Sequence, residues 1–195
     1  MQYFAEMALD DLQGTDLLLV AGTKPPVAFF AYPNTPSELT PEGCDSLVLG
    51  GPDYDSAAIL EQLADALGAD EAAEALPRHA PDMPTGPLTS SAVGASVCRH
   101  MPAGALAVDD GATSSLGVFL STLTAESHDW MCLTGGAIGI GMPMAIGASM
   151  AKPDAKTICL SGDGSGMYTV QALWTMAREN LDVTTIVFVN HSYRI

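Results

Sequence analysis

Residues 156–190 read KTICLSGDGSGMYTVQALWTMARENLDVTTIVFVN, and this stretch decides the fold. Residues 156–164 form a short apolar run that ends in a Gly-Asp-Gly turn, which is typical of a buried strand. Residues 183–190 are apolar without alternation, as expected of a strand covered on both faces of a parallel sheet. A right-handed crossover between two such strands lays them parallel, so we predict that they are neighbours in one sheet.

Between these strands, residues 169–180 have apolar side chains at helical spacing. The predicted buried face of this helix consists of four residues: Val170, Leu173, Trp174 and Ala177. Further strands are predicted at 16–22, 46–51 and 105–111, and further helices at 55–68, 90–101 and 139–151. The small apolar residues of the last helix predict burial on nearly all sides. The alternation predicts an α/β fold with a doubly wound parallel sheet.

Residues 76–88 separate two predicted domains, 1–75 and 89–195. This segment, LPRHAPDMPTGPL, contains four prolines and a glycine, which is typical of a linker. The charge also changes there, because residues 1–88 hold fifteen acidic and two basic residues, whereas residues 89–195 hold eight and five. We therefore expect part of one α/β domain, a linker and a second α/β domain.

The composition narrows the possible partners. A net charge of −16 disfavours binding to nucleic acid and to anionic membranes. We find no apolar run long enough for a membrane span and no pattern of a secretion signal. The four cysteines form no CxxC pair and the four histidines are scattered, so we predict a reduced, cytoplasmic protein without a histidine metal site.

Polar residues follow the two strands of residues 156–190. Asp163 lies in the turn after the first strand, and Asn190 ends the second. The carboxyl ends of parallel strands share one edge of a sheet, where ligands bind in open α/β folds. Carboxylate and amide oxygens suit Mg²⁺, and glycines let backbone amides approach a phosphate. Taken alone, the tetrapeptide Gly-Asp-Gly-Ser is a weak signal that a plain turn explains better.

The combination of Gly-Asp-Gly-Ser with Asn190 resembles the signature of the thiamine-diphosphate (ThDP) enzymes, in which GDG is followed by Asn-Asn. The sequence departs from that signature at Val189, where the family has its first Asn. The resemblance implies that Mg²⁺ is bound by Asp163, Asn190 and the main-chain carbonyl of Ser192. It also assigns three further residues to the cofactor site: Gly164, Ser165 and Tyr193.

Two other segments are similar to the same family. In residues 133–155, the resemblance implies that the backbone of Gly136 contacts the aminopyrimidine and that Ile138 props the cofactor into its bent shape. In residues 108–115, it implies that the backbone of Ala112 and the side chain of Thr113 touch the diphosphate. Ile138 as plain core is the alternative. An NAD site is disfavoured, because the glycine spacing is not GxGxxG and residues 127–134 make a poor strand.

The N-terminal part indicates the group within the family. Residues 17–44 resemble the end of the central domain of acetolactate synthases and benzoylformate decarboxylases, and residues 172–175 resemble that group too. The resemblance implies an acetolactate synthase-like enzyme that acts on 2-keto acids through a carbanion of ThDP. A benzoylformate-type decarboxylase and a non-catalytic ThDP-binding remnant are the alternatives. FAD is possible but not supported, since little of the central domain is present.

No catalytic residue is assigned in this chain. Family members have a pyrimidine-binding, a central and a diphosphate-binding domain, and the activating glutamate lies in the first, usually supplied by a partner subunit. Glu126 and Glu179 are interpreted as surface acids. We expect the chain to be a fragment truncated at its C-terminus that needs a pyrimidine-binding domain from its parent protein or a partner. A homodimer or tetramer is also expected.

Overall fold

The computed structural model describes residues 4–69 and 76–193. The chain divides into two compact units, residues 1–74 and 75–195. Within the described residues, none of the helices combines the length and apolar character that a membrane span requires. The domain boundaries at residues 75 and 88, on either side of the proposed linker, remain a prediction from the sequence. Residues of the predicted linker are nevertheless bound to the second unit, since His79 N–H donates to the Thr124 carbonyl (2.9 Å) and Arg99 to the Pro81 carbonyl (3.0 Å).

The first unit is a small α/β fragment. Its elements are α1 (Ala5–Leu12), β1 (Leu17–Ala21), β2 (Asp45–Gly50) and α2 (Ser56–Leu67), and β1 and β2 pair in parallel. Helix α2 begins where the sequence predicts it, because the Asp55 carboxylate accepts a hydrogen bond from Ala58 N–H (3.0 Å). It ends at Gly68, which adopts a left-handed conformation. The two predicted strands and the helix are thus confirmed.

The second unit contains the sheet on which the candidate site is built. Its strands are β3 (Ala105–Asp110), β4 (His128–Cys132), β5 (Thr157–Gly162) and β6 (Val183–Phe188). They lie in the order β4-β3-β5-β6 and every pair is parallel. The predicted neighbours β5 and β6 do pair. Because β3, β5 and β6 are parallel, their carboxyl ends lie at one edge of the sheet.

Helices cover both faces of this sheet. They are α3 (Ser90–His100), α4 (Leu116–Thr122), α5 (Gly141–Ala151), α6 (Asp163–Tyr168) and α7 (Ala172–Arg178). On one face, Ile158 and Leu160 of β5 pack in a cluster with α3 and α4. On the other, Cys159 packs in a cluster with α5 and α7. This alternation along one strand confirms the doubly wound α/β fold.

Two sequence expectations, one for residues 128–132 and one for α7, differ from the structure. Residues 128–132 do form a strand, β4, at the edge of the sheet, where pairing with β3 and packing of Trp130 on Phe119 (ring centroids 5.2 Å apart) offset a weak sequence pattern. Helix α7 buries Ala172 and Met176, whereas its predicted face is exposed. The helix is interrupted between α6 and α7, and the side of α7 that carries Ala172 and Met176 packs in a cluster with α5.

Helix α5 is buried along one face only. Its buried residues are Gly141, Met142, Ala145 and Ser149, and Met150 is exposed. The prediction of burial on nearly all sides was therefore wrong for this unit. Small and apolar residues occur on both sides of the helix, so its composition could not indicate which side meets the sheet.

Candidate cofactor site

The turn after β5 holds Asp163 at the edge of the sheet. Gly162 ends β5 in an extended conformation and Asp163 opens α6. One carboxylate oxygen of Asp163 accepts a hydrogen bond from the N–H of Gly164 (3.0 Å). The other accepts from the N–H of His191 (3.1 Å), which lies beyond the end of β6. The carboxylate thus joins the two loops whose meeting the sequence predicts.

The loop after β6 is closed by Asn190. Its side-chain oxygen accepts a hydrogen bond from the N–H of Ser192 (2.8 Å), so the side chain folds over its own loop. His191, between them, adopts a left-handed conformation with φ 56°. The structure therefore brings Asp163, Asn190 and Ser192 into one neighbourhood, which is a requirement of the predicted metal site.

Tyr193 closes this loop over α6. A β-carbon at Gly164 would stand 2.4 Å from Cδ2 of the Tyr193 ring, so the ring lies directly on the glycine. The Tyr193 hydroxyl is 3.3 Å from that of Tyr168, and this hydrogen bond raises the pKa of Tyr193. The predicted site residues Gly164 and Tyr193 are therefore in contact with each other.

The glycine-rich loop before α5 carries Ile138. The N–H of Ile138 donates to the carbonyl of Gly136 (2.9 Å), which makes a tight turn. The hydroxyl of Thr169 donates to the carbonyl of Gly139 (2.6 Å), so the loop is attached to the segment between α6 and α7. Ile138 is 37% exposed and belongs to neither hydrophobic cluster of this unit. It is therefore available for contact with a ligand, which disfavours the plain-core alternative.

The turn after β3 contains Ala112 and Thr113. The N–H of Gly111 donates to the Asp109 carboxylate (2.9 Å), and a 3₁₀ turn spans Ala112–Ser114. Ala112 has φ 48°, an uncommon conformation for a residue with a side chain. This turn contacts β5, so it borders the same edge as Asp163.

Asp110, at the end of β3, is a residue that the sequence reasoning missed. Its side chain is 2% exposed, and one carboxylate oxygen accepts hydrogen bonds from Gly139 N–H (2.9 Å) and Gly141 N–H (3.1 Å). The Ser165 hydroxyl lies near this carboxylate and acts to lower its pKa. Burial raises the pKa of Asp110 above its ordinary value, and the like charge of Asp109 adds to this effect. The only sequence signal is a second acid in VDDG.

The donor set of this edge fits a Mg²⁺–diphosphate group. It offers one carboxylate, one side-chain amide and main-chain carbonyls, which are hard oxygen ligands of the kind that Mg²⁺ takes alongside phosphate and water. A carboxylate has about four acceptor sites, and the two bonds made by Asp163 leave the others free for a metal. Among residues 4–69 and 76–193, no three His, Cys, Asp or Glu side chains cluster as metal ligands.

Comparisons with known proteins relate this part of the chain to a cofactor-binding domain. Residues 112–195 match the family model of the thiamine pyrophosphate enzyme C-terminal TPP binding domain. All 195 residues align at 45% identity with IlvX of Mycobacterium tuberculosis, assigned as an acetolactate synthase large subunit, and cover 38% of its length. In a second alignment, 109 residues of this chain are 36% identical to the alpha-keto-acid decarboxylase of Mycobacterium avium, which covers 56% of this chain and 19% of that protein.

A solved structure has the same fold. The thiamine diphosphate-dependent 4-hydroxybenzoylformate decarboxylase of Rhodococcus jostii RHA1 superposes with a TM-score of 0.72 at 24% identity, over 98% of this chain and 39% of that one. The chain is thus similar to thiamine-diphosphate-dependent enzymes of the acetolactate synthase and alpha-keto-acid decarboxylase kind. Residues 112–195 match the C-terminal TPP binding domain of such enzymes, and the chain spans under half the length of these relatives.

Proposed function

We propose that this chain is the Mg²⁺–ThDP binding part of an acetolactate synthase-like enzyme that acts on 2-keto acids. The observation that carries the proposal is the bond between the Asp163 carboxylate and His191 N–H, which joins the Gly-Asp-Gly turn to the loop of Asn190. The 45% identity to IlvX over the whole chain supports the acetolactate synthase-like reaction over others.

Under this proposal, the loops after β5 and β6 hold the metal. The Asp163 carboxylate, the Asn190 amide oxygen and the Ser192 carbonyl are the protein ligands of Mg²⁺. The residues that border the rest of the cofactor are Ala112, Thr113, Gly136, Ile138, Gly164, Ser165 and Tyr193. The hydrogen bonds of Asp163 and Asn190 to backbone N–H groups orient their oxygens before any ligand arrives.

When bound, ThDP supplies an electron sink for making or breaking the C–C bond beside the carbonyl of a 2-keto acid. The contribution of this chain is binding and orientation. Asp163 and Asn190 anchor the charged end, and the exposed side chain of Ile138 shapes the space for the rings. We assign no proton-transfer residue here and place the activating glutamate in a pyrimidine-binding domain.

A keto-acid decarboxylase is the second candidate. It is favoured by the 36% identity to the Mycobacterium avium alpha-keto-acid decarboxylase over 109 residues. The two candidates differ in the fate of the carbon left after a 2-keto acid loses CO₂. A synthase joins this carbon to a second keto acid, whereas a decarboxylase protonates it and releases an aldehyde. Assays of pyruvate consumption with separate detection of acetolactate and of aldehyde distinguish them. A non-catalytic remnant would bind ThDP and give neither product.

The proposal includes partners and a location. The exposed apolar residues on and beside α6 and α7 support docking of a pyrimidine-binding domain within a homodimer or tetramer: Met167, Val170, Leu173 and Trp174. The four cysteines are all free, which supports the reducing cytoplasm. FAD remains possible without support, and visible flavin absorbance of the purified protein tests it.

The test is calorimetric titration of the full-length protein with ThDP in the presence and absence of Mg²⁺. Asp163→Ala is expected to abolish Mg²⁺-dependent binding, because it removes the only carboxylate among the predicted ligands. Asn190→Ala should weaken binding. Asn190→Asp keeps an oxygen ligand for the metal, but it should also weaken ThDP binding because it adds negative charge beside the diphosphate. Asp154→Ala is the matched control, since Asp154 is an exposed aspartate in the turn before β5, at the opposite end of that strand from Asp163. Unchanged ThDP affinity in Asp163→Ala contradicts the proposal.

A further inference from the structure

Three segments of the second unit meet at one buried carboxylate, that of Asp110. The segments are the end of β3, the loop before α5 and the first turns of α6. The Asp110 carboxylate accepts hydrogen bonds from the N–H of Gly139 in the loop and from the N–H of Gly141 at the start of α5. The Ser165 hydroxyl of α6 lies near the same carboxylate. Its side chain is almost completely shielded from solvent. Hydrogen bonds to a carboxylate in such surroundings are among the stronger ones in proteins.

The backbone that follows Ile138 lies unusually close to its neighbours. A β-carbon at Gly141 would stand 2.5 Å from Cβ of Asp110, and one at Gly139 would stand 2.5 Å from Cβ of Tyr168. Gly139 also has φ 91°, where a side chain is strained. The segment therefore contacts β3 and α6 through glycines without side chains. The Asp110 carboxylate accepts hydrogen bonds from the N–H groups of Gly139 and Gly141.

This arrangement fixes the position of Ile138. Its own N–H is bound to the Gly136 carbonyl, and the next residue, Gly139, is held at its N–H by Asp110 and at its carbonyl by Thr169. A glycine-rich loop has high conformational entropy, so these few bonds determine where the Ile138 side chain stands. Of these anchors, only Asp110 reaches from the loop to both β3 and the Gly-Asp-Gly-Ser turn.

We propose that Asp110 is a positioning residue, which sets the register of the Ile138 loop against the Gly-Asp-Gly-Ser turn through Gly139, Gly141 and Ser165. This inference rests on the proposed function for the meaning of Ile138 as a cofactor contact. A pure packing role is the competing explanation. It is disfavoured by the cost of burying a charge, which a neutral side chain of the same size avoids.

The first test is amide hydrogen exchange of the cofactor-free, full-length protein. Asp110→Ala should speed exchange at Gly139 and Gly141 by about tenfold or more, because both N–H groups lose their acceptor. Asp110→Asn keeps an acceptor oxygen at the same place and should remain within about threefold of the wild type. Asp109→Ala is the control at the same strand end, and it should leave exchange at Gly139 and Gly141 unchanged. Asp110→Ser replaces Asp110→Ala if the alanine variant does not fold, since its hydroxyl is too short to reach both amides.

The second test uses ThDP with Mg²⁺ and follows H/D exchange at the cofactor's thiazolium C2 by NMR. Asp110→Ala should slow this exchange as much as Ile138→Ala does, and the double variant should be no slower than either single one. Calorimetric ThDP affinity should fall by less than about tenfold in all three.

The outcomes separate the two ideas. If the wild-type protein binds no ThDP, the proposed function fails, while the amide exchange of the cofactor-free protein still decides the role of Asp110. If ThDP binds but Asp110→Ala leaves Gly139 and Gly141 protected, the positioning role is overturned. Failure of Asp110→Asn to rescue the protection overturns it as well.

Discussion

The ring of Tyr193 rests on the α-carbon of Gly164, so that a β-carbon at position 164 would stand 2.4 Å from Cδ2 of the ring. Real β-carbons do not approach other atoms so closely, and either the ring or the backbone would have to shift. The ring belongs to the loop that starts at Asn190, and the glycine belongs to the turn of Asp163. The absence of a side chain at Gly164 is therefore what lets the two predicted metal-binding loops close.

Gly164→Ala is accordingly expected to push the loop of Tyr193 away from α6 and to break the bond between Asp163 and His191. Mg²⁺-dependent ThDP affinity should fall by about tenfold or more in calorimetric titration. Adding Tyr193→Ala removes the clash, so the double variant should bind better than Gly164→Ala alone.

Two comparisons control this experiment. Gly147→Ala lies in α5 with no atom near the new β-carbon, and it should leave ThDP affinity unchanged. Tyr193→Ala alone gives the cost of losing the ring itself. Wild-type affinity in Gly164→Ala would show that the loop does not need the close contact.

Ile138 offers a separate prediction about shape. If it props the bent cofactor, Ile138→Ala should leave ThDP affinity within about tenfold, because the diphosphate and metal provide the anchoring. Exchange of the C2 proton should slow much more, as measured by quenched-flow NMR. Met150→Ala, which truncates an exposed apolar side chain of α5, is the matched control. C2 exchange at the wild-type rate in Ile138→Ala would remove Ile138 from the site.

The sequence allowed the central part of the fold to be predicted because its signals are local. Strands β5 and β6 are continuous apolar runs, and the helical connection between them returns the chain to the same end of the sheet, so they pair in parallel. The meeting of Asp163 with the loop of Asn190 follows from that topology alone. Because β5 and β6 are parallel neighbours, the residues that follow them, Asp163 and Asn190, lie at the same edge of the sheet.

Other features depend on contacts that no short pattern encodes. Strand β4 has an irregular pattern, HDWMC, and exists because β3 offers it a partner and Phe119 packs on Trp130. The buried face of α7 is the one that packs against α5 and β5, in the cluster that contains Ala172, Met176 and Cys159. Asp110 looks like one of two adjacent acids at a strand end, and only the fold shows that the loop of Gly139 and Gly141 closes over it. Tertiary packing determines each of these, which is why the sequence alone missed them.

Asp110 also predicts a pH dependence of stability. Burial raises its pKa in the folded state above the ordinary value of 3.8, so the folded protein holds this proton more tightly than the unfolded chain does. The free energy of unfolding therefore loses this contribution as the pH rises from 3.8 through the raised pKa. Asp110→Asn cannot ionise, and its stability relative to the wild type should increase over the same window. Urea unfolding of both proteins at several pH values measures the difference. A difference that is independent of pH would show that Asp110 does not titrate differently on folding.

The cysteines allow a final check of the fold that needs no ligand. Cys132 is exposed at the end of β4, whereas Cys98 and Cys159 are buried in the second unit. Burial, with the added charge of Asp110 and Asp109, raises the pKa of Cys159 to about 12, and burial also raises that of Cys98. The thiolate is the reactive form, so both buried thiols should resist iodoacetamide at about pH 8, where an ordinary thiol is partly ionised. We expect mass spectrometry to find Cys132 alkylated first and both buried cysteines labelled only when urea unfolds the chain. Cys132→Ser is the control and should remove the fast phase. Rapid labelling of Cys159 in the native protein would mean that β5 is not enclosed between helices on both faces of the sheet.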